Sequence, residues 1–139
     1  MFVYRYDNAS GAIKQIGKFG RLDDYSSGIL IAISGSGDEV AITFRAEDTL
    51  FASITVYRYD GSSRKWNQLG KALSDKNMCQ LLLSADGMSL AVACSNFFVT
   101  APQYLNGVCV FRLVGGIWTQ ICQELFGLAG VSLSADGLT

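Results

Sequence analysis

The chain contains no histidine, so the side chain that most often acts as a general base or a metal ligand is absent. The acidic pairs Asp23-Asp24 and Glu47-Asp48 fall in segments without strand patterning, and we interpret them as solvated loop residues rather than an acid–base pair. Asp86 and Asp136 each stand alone before a glycine, whereas a calcium loop needs several oxygen ligands at alternate positions. We therefore predict no catalytic site, no metal site and no cofactor in this chain, and we do not class it as an enzyme.

Four cysteines offer a second kind of chemistry. Two-residue hairpin turns at Asp86-Gly87 and Gly115-Gly116 would put them opposite each other in pairs on neighbouring strands. The pairs would be Cys79 with Cys94 and Cys109 with Cys122. Two such disulfides would suit an oxidising compartment. Buried thiols also pack as small apolar residues, and we favour that interpretation.

The charge balance argues against two classes of partner. Eleven basic residues face twelve acidic ones, so no strong positive field is available to bind a nucleic acid backbone. The apolar runs are far shorter than the about 20 residues that span a bilayer, and we predict no membrane span. The first residues lack the pattern of a signal peptide, so we expect any targeting signal to lie outside this chain.

One pattern returns three times. Each copy has a strand rich in aromatic residues, then a strand containing glutamine, then an apolar strand closed by a Ser-x-x-Gly turn. The aromatic strands are Val3–Asp7, Val56–Asp60 and Val110–Leu113, the glutamines are Gln15, Gln68 and Gln120, and the turns are 34–37, 84–87 and 134–137. We place the repeats at about 1–52, 53–106 and 107–139. A fixed period of this size indicates units that bury their faces only against each other.

Each repeat resolves into four short strands, and no segment has helical periodicity. The third strand is apolar on both faces, as in Ile29–Ile33 and Leu81–Leu83, which predicts that it is covered on both sides. The fourth strand alternates with alanine, as in Val40–Ile42 and Leu90–Ala93, which permits close approach of neighbouring units. We predict an all-β fold.

The middle copy, with Val56–Asp60, Trp66–Gly70 and Leu83–Val92, resembles the blades of β-propellers of the WD40-like and FG-GAP-like type. The resemblance implies blades of four antiparallel strands, of which the chain holds about two and two-thirds. Closed propellers use about four to eight blades, so we expect an incomplete ring. We favour a fragment of a longer gene product over several chains that close a ring, and we expect self-association through open blade edges. The residues leave the compartment open, while the resemblance favours an extracellular or cell-surface protein.

Two alternatives exist for the tryptophans and for the glutamines that follow them. Trp66 and Trp118 stand two residues before Gln68 and Gln120. This pairing would suit a platform for sugar rings. We favour packing of the tryptophans between blades, with the glutamines bonded to backbone groups there.

The loops differ most between copies, and loops on a rigid scaffold commonly carry binding sites. We therefore predict a non-catalytic binding module whose loop face engages a protein or a glycan. The candidate contact residues are Tyr25, Phe97, Phe98 and Tyr104. The alternative for these aromatics is that they cover an adjoining blade. Two other functions stay open, namely a fragment of a propeller enzyme whose catalytic residues lie outside this chain, and a structural spacer.

Overall fold

The computed structural model describes residues 1–19, 29–45, 51–76, 78–95, 106–121, 125–126 and 131–137. This part of the chain contains twelve strands and no helix, so it offers no helix that could span a membrane. The strands are β1 (Phe2–Asp7), β2 (Ala12–Lys18), β3 (Ile31–Ile33), β4 (Glu39–Arg45), β5 (Phe51–Asp60), β6 (Lys65–Gln68), β7 (Leu73–Lys76), β8 (Met78–Leu83), β9 (Ser89–Ser95), β10 (Asn106–Val114), β11 (Ile117–Gln120) and β12 (Leu125–Phe126). The predicted all-β fold is confirmed.

The described strands form three separate antiparallel sheets, and none of them closes on itself. Sheet 1 is the hairpin β1–β2. Sheet 2 has the order β3-β4-β5-β6, and the short strand β7 also pairs with β5. Sheet 3 has the order β11-β10-β9-β8, and β12 also pairs with β10.

The sheets are offset from the sequence repeats by half a repeat. Strands β3 and β4 end the first repeat and pair with β5 and β6, which begin the second. Strands β8 and β9 end the second repeat and pair with β10 and β11, which begin the third. Sheet 1 contains only the first two strands of the first repeat. Among the described residues it therefore lacks the two strands that an earlier repeat would supply.

Apolar side chains pack the three sheets face to face. One core cluster joins sheets 2 and 3, and its buried members are Ala41, Ile54, Val56, Leu81, Leu90, Val92, Leu113 and Trp118. A second cluster joins sheet 1 to sheet 2, and its buried members are Val3, Phe19, Val40 and Ile42. In β4, Ala41 belongs to the first cluster and its two neighbours to the second, because successive side chains of a strand point to opposite faces. Sheet 2 is thus packed on both faces.

The turn chemistry fixes the register of the hairpins. Gly115 and Gly116 have φ angles of 57° and 83°, which glycine adopts without strain, and they form the two-residue turn that the sequence predicts between β10 and β11. In sheet 3, Gln80 lies opposite Ala93, but β8 has a bulge between Met78 and Gln80, so Met78 rather than Cys79 lies opposite Cys94. Among the other cysteines, Cys109 lies opposite Val92, and Cys122 is outside the described residues. The disulfide pairs stay a hypothesis.

The expectation that every third strand is covered on both faces is wrong for the first copy. Ile31 and Ile33 of β3 are 51% and 55% exposed, whereas Leu81 of β8, at the position of Ile31, is only 5% exposed. The difference follows from the number of strands in the neighbouring sheet. Sheet 2 covers β8, but the two-stranded sheet 1 is too narrow to cover β3.

Candidate functional site

The Ser-x-x-Gly turns of the three repeats lie side by side at one end of the stacked sheets. The backbone N–H of Gly35 donates to the carbonyl of Ala85 at 3.1 Å, and the N–H of Ala85 donates to the carbonyl of Ala135 at 2.8 Å. Corresponding residues are 50 positions apart, so the turns form a continuous ladder of backbone bonds from one repeat to the next. Residues that are one repeat apart in the sequence are therefore in direct contact in the structure.

Within the middle turn, the carboxylate of Asp86 forms hydrogen bonds with neighbouring residues of the same hairpin. It accepts a hydrogen bond from the Ser84 hydroxyl and one from the Met88 backbone N–H at 2.9 Å. These two bonds, with the Ser84 hydroxyl contributing most, lower the pKa of Asp86 below its ordinary value. Ser36 stands at the same position in the first turn, and its hydroxyl accepts from the N–H of Asp38 at 3.1 Å. Both side chains thus cap the backbone of a turn.

The tryptophans of β6 and β11 join neighbouring sheets. The indole Nε1 of Trp66 donates to the carbonyl of Ile16 at 3.0 Å, and that of Trp118 donates to the carbonyl of Leu69 at 2.8 Å. A glycine follows each acceptor. A Cβ at Gly17 would lie 2.8 Å from Cδ1 of Trp66, so glycine is needed for the indole to approach the backbone. The predicted packing of both tryptophans between sheets is confirmed.

Gln68 does not have the predicted bond between sheets. Gln15, Gln68 and Gln120 are exposed. The side-chain Nε2 of Gln68 donates to the carbonyl of Gly70 at 2.9 Å, within its own repeat. Because β6 ends at Gln68, the amide reaches the following turn rather than the neighbouring sheet.

An arginine occupies the same position in each aromatic strand. The group that its side chain bonds differs from copy to copy. Nε of Arg58 donates to Oε1 of Glu39, which is buried, at 2.8 Å. Ser89 has the position of Glu39 in sheet 3 and lies opposite Arg112. Among the described residues, neither the hydroxyl of Ser89 nor Nη1 of Arg112 has a hydrogen-bond partner, although both atoms are buried. Ser89 and Arg112 thus do not reproduce the ion pair that Glu39 and Arg58 form in sheet 2.

The tryptophan contact between sheets has no counterpart at the outer face of sheet 1. Ile13 stands where the later copies have tryptophan, and its side chain is 71% exposed. Phe2, Tyr4 and Tyr6 alternate along β1 and are each more than half exposed. We call these four residues the aromatic face of sheet 1. They form an apolar surface at the point where the stack of described sheets stops.

The outer edge of β1 is the second feature of this end of the molecule. The carbonyls of Met1 and Asp7 accept hydrogen bonds from Phe19 and Gly11, so the odd-numbered residues direct their backbone groups toward β2. Because these directions alternate along a strand, the backbone N–H and C=O groups of Phe2, Tyr4 and Tyr6 point to the outer edge. No described strand covers this edge. Beside this edge is a cleft of about 250 Å³, lined by Met1, Phe2, Val3, Tyr4, Ile31, Ile33 and Val40.

The contact residues predicted from the loops, Tyr25, Phe97, Phe98 and Tyr104, all lie outside the described residues. No group of three or more acidic or cysteine residues that could bind a metal ion occurs in the described part of the chain. The sequence prediction missed the aromatic face of sheet 1. Its signal was available in the alternation of Phe2, Tyr4 and Tyr6, but Tyr57 and Tyr59 alternate in the same way in the second copy and lie in a five-stranded sheet.

Comparison of the chain with family models, with curated proteins and with solved structures gives no match.

Proposed function

We propose that this chain is a non-catalytic protein-binding module of the β-propeller type, in which each sheet is one blade. Two contacts that recur at steps of 49 to 50 residues support stacking of equivalent blades: the backbone ladder of the turns and the tryptophan bond between sheets. Gln80 adds a third contact of this kind, since its side-chain Nε2 donates to the carbonyl of Val131 at 3.2 Å. Such an array supplies a rigid frame for a binding surface.

The aromatic face of sheet 1 carries the proposal. Contiguous exposed apolar side chains on a soluble surface commonly mark a site of protein contact. Tyrosine and phenylalanine are favoured anchors in such contacts, because they bury a large area with few rotatable bonds. Ile13 adds an aliphatic side chain, which suits a protein surface better than a sugar. The loop residues Tyr25, Phe97, Phe98 and Tyr104 stay a second predicted contact surface.

A photo-crosslinking amino acid at position 4 tests this function. The same label at Ser63, an exposed turn residue, is the control. A protein that crosslinks from position 4 alone would then be purified and its affinity for the unlabelled chain measured. We expect Tyr4→Ala to weaken that affinity by about tenfold or more. An unchanged affinity would reject the aromatic face as the contact, and the loop variant with Phe97→Ala and Phe98→Ala would show whether binding depends on the loops instead.

A further inference from the structure

The outer edge of β1 has internal counterparts that are covered. Val3-Tyr4-Arg5-Tyr6-Asp7 of β1 corresponds to Val56-Tyr57-Arg58-Tyr59-Asp60 of β5. The edge of β5 that corresponds to the open one is paired with β4, and the same edge of β10 is paired with β9. The chain thus contains two examples of the strand that fits this edge.

Both of these strands have the same character. β4 contains Val40-Ala41-Ile42 and β9 contains Leu90-Ala91-Val92. Both alanines are fully buried, at 0% exposure, and Ala41 belongs to the core cluster between sheets 2 and 3. A larger side chain at that position would separate the sheets, because interiors are close-packed. A strand that adds to β1 therefore needs a small residue between two larger apolar ones.

The neighbouring sheet has apolar surface in the place where such a strand would lie. The cleft beside β1 is bounded by Ile31 and Ile33, the exposed residues of β3. In the next layer, Leu81 has the position of Ile31 and packs in one cluster with Ala41 of β4. A strand in the position of β4 would cover Ile31 as β4 covers Leu81.

Arg5 adds a requirement for charge. In sheet 2, Glu39 of β4 lies directly opposite Arg58 and accepts from its Nε. Arg5, at the same position in β1, donates through Nη2 to the carbonyl of Gly37 and to the carboxylate of Asp38. Its Nε has no acceptor among the described residues and is available to a carboxylate on an added strand.

We propose that the outer edge of β1 binds an extended strand of a partner protein, antiparallel to β1 and in the register that β4 has on β5. The partner strand has an acidic residue opposite Arg5, a large apolar residue opposite Tyr4 and alanine opposite Val3. The proposal deepens the proposed function and rests on it, since it names the kind of partner that the same end of the molecule binds. Main-chain hydrogen bonds to Tyr4 and Tyr6 supply affinity, and the cleft supplies selectivity.

A synthetic peptide with the sequence of β4 itself tests this proposal. The peptide has the sequence of residues 38–44, with blocked ends. Calorimetry with the full chain measures binding, and hydrogen exchange measures protection of the Tyr4 and Tyr6 amides. We expect saturable binding with one peptide per chain, and slower exchange at these two amides.

Two N-methylated peptides make the test specific to the strand edge, and they leave the protein unchanged. In β4, the carbonyl of Asp38 accepts from Tyr59 of β5, whereas that of Glu39 accepts from Ser34 beside β3. Val40 and Ile42 therefore direct their N–H groups toward β5, and Ala41 and Thr43 direct theirs away. Methylation at Val40 and Ile42 removes two bonds to β1 and should weaken binding by about tenfold or more. Methylation at Ala41 and Thr43 is the matched control and should leave the affinity close to that of the parent peptide.

Several results would overturn the strand proposal. They are absence of binding, equal weakening by both methylated peptides, or protection of Tyr4 and Tyr6 by a dimer of the chain before any peptide is added. The two proposals fail separately. If the peptide does not bind but the crosslinked partner still depends on Tyr4, the strand proposal is wrong and the binding function stands. If the peptide binds but Tyr4→Ala leaves the affinity for the crosslinked partner unchanged, the assignment of the function to this surface is wrong.

Discussion

The indole N–H of Trp118 donates a hydrogen bond of 2.8 Å to the carbonyl oxygen of Leu69, which belongs to the preceding sheet. Trp118 is 7% exposed, so the carbonyl that it bonds is shielded from water on that side. Trp66 and Ile16 repeat the same bond one sheet earlier. The same contact thus holds successive sheets together at two places in the stack.

Trp118→Phe should destabilise the chain by about 1–3 kcal/mol, because the aromatic ring is kept while the partially buried carbonyl of Leu69 loses its donor. The free energy of unfolding, from urea denaturation followed by circular dichroism, measures this. Ile117→Ala is the control on the same hairpin, since Ile117 is 65% exposed. A larger loss in the control than in Trp118→Phe would contradict the role given to the indole N–H.

Gly17→Ala should destabilise the chain by about 1–3 kcal/mol, because the added methyl group would displace the indole of Trp66. Gly61→Ala is the matched control, since no atom lies within 4 Å of its Cβ position. Thermal unfolding of the two variants measures the difference. Repeating Gly17→Ala in a Trp66→Ala background should remove most of its cost, and an unchanged cost there would show that the close contact is not the cause.

Arg58→Met should destabilise the chain more than Arg112→Met. The first change leaves the buried carboxylate of Glu39 without its cation, at a cost of about 1–3 kcal/mol, with the half-exposed position of Arg58 favouring the low end. The second change removes an arginine that lies opposite Ser89 rather than a carboxylate. Denaturation in low and high salt measures both variants. Equal losses would mean that Glu39 contributes nothing specific to sheet 2.

Asp86→Asn should change how stability depends on pH. The hydroxyl of Ser84 and the N–H of Met88 lower the pKa of Asp86 in the folded state, so folding favours the charged carboxylate. This contribution is fully present above the unfolded pKa of about 3.9 and is lost as the pH falls through the lower folded value. We expect the variant to be less stable than the wild type at pH 7 and the difference to shrink below about pH 4. A difference that stays constant from pH 7 to pH 2 would contradict this.

Much of the fold follows from local chemistry. The spacing of the serine–glycine turns predicts the repeat, Gly115-Gly116 predicts a tight hairpin, and the tryptophans predict contacts between sheets. The bulge at Cys79 could not be predicted, because Met78–Leu83 is an unbroken strand sequence without glycine or proline to mark it. Hydrogen bonding across the sheet decides where one strand takes up an extra residue.

The sequence by itself determined the all-β character, the period of 50 residues between turns and the residues that make each turn. These features depend on neighbours in the chain: alternation of apolar side chains, and glycines that accept positive φ. Only the tertiary structure decided which strands share a sheet, and hence that, among the described strands, β5 is paired on both edges while β1, with nearly the same sequence, is paired on one. The pairing partner of a strand edge is a distant segment, so the five residues of Val3–Asp7 and those of Val56–Asp60 carry no local signal of the difference.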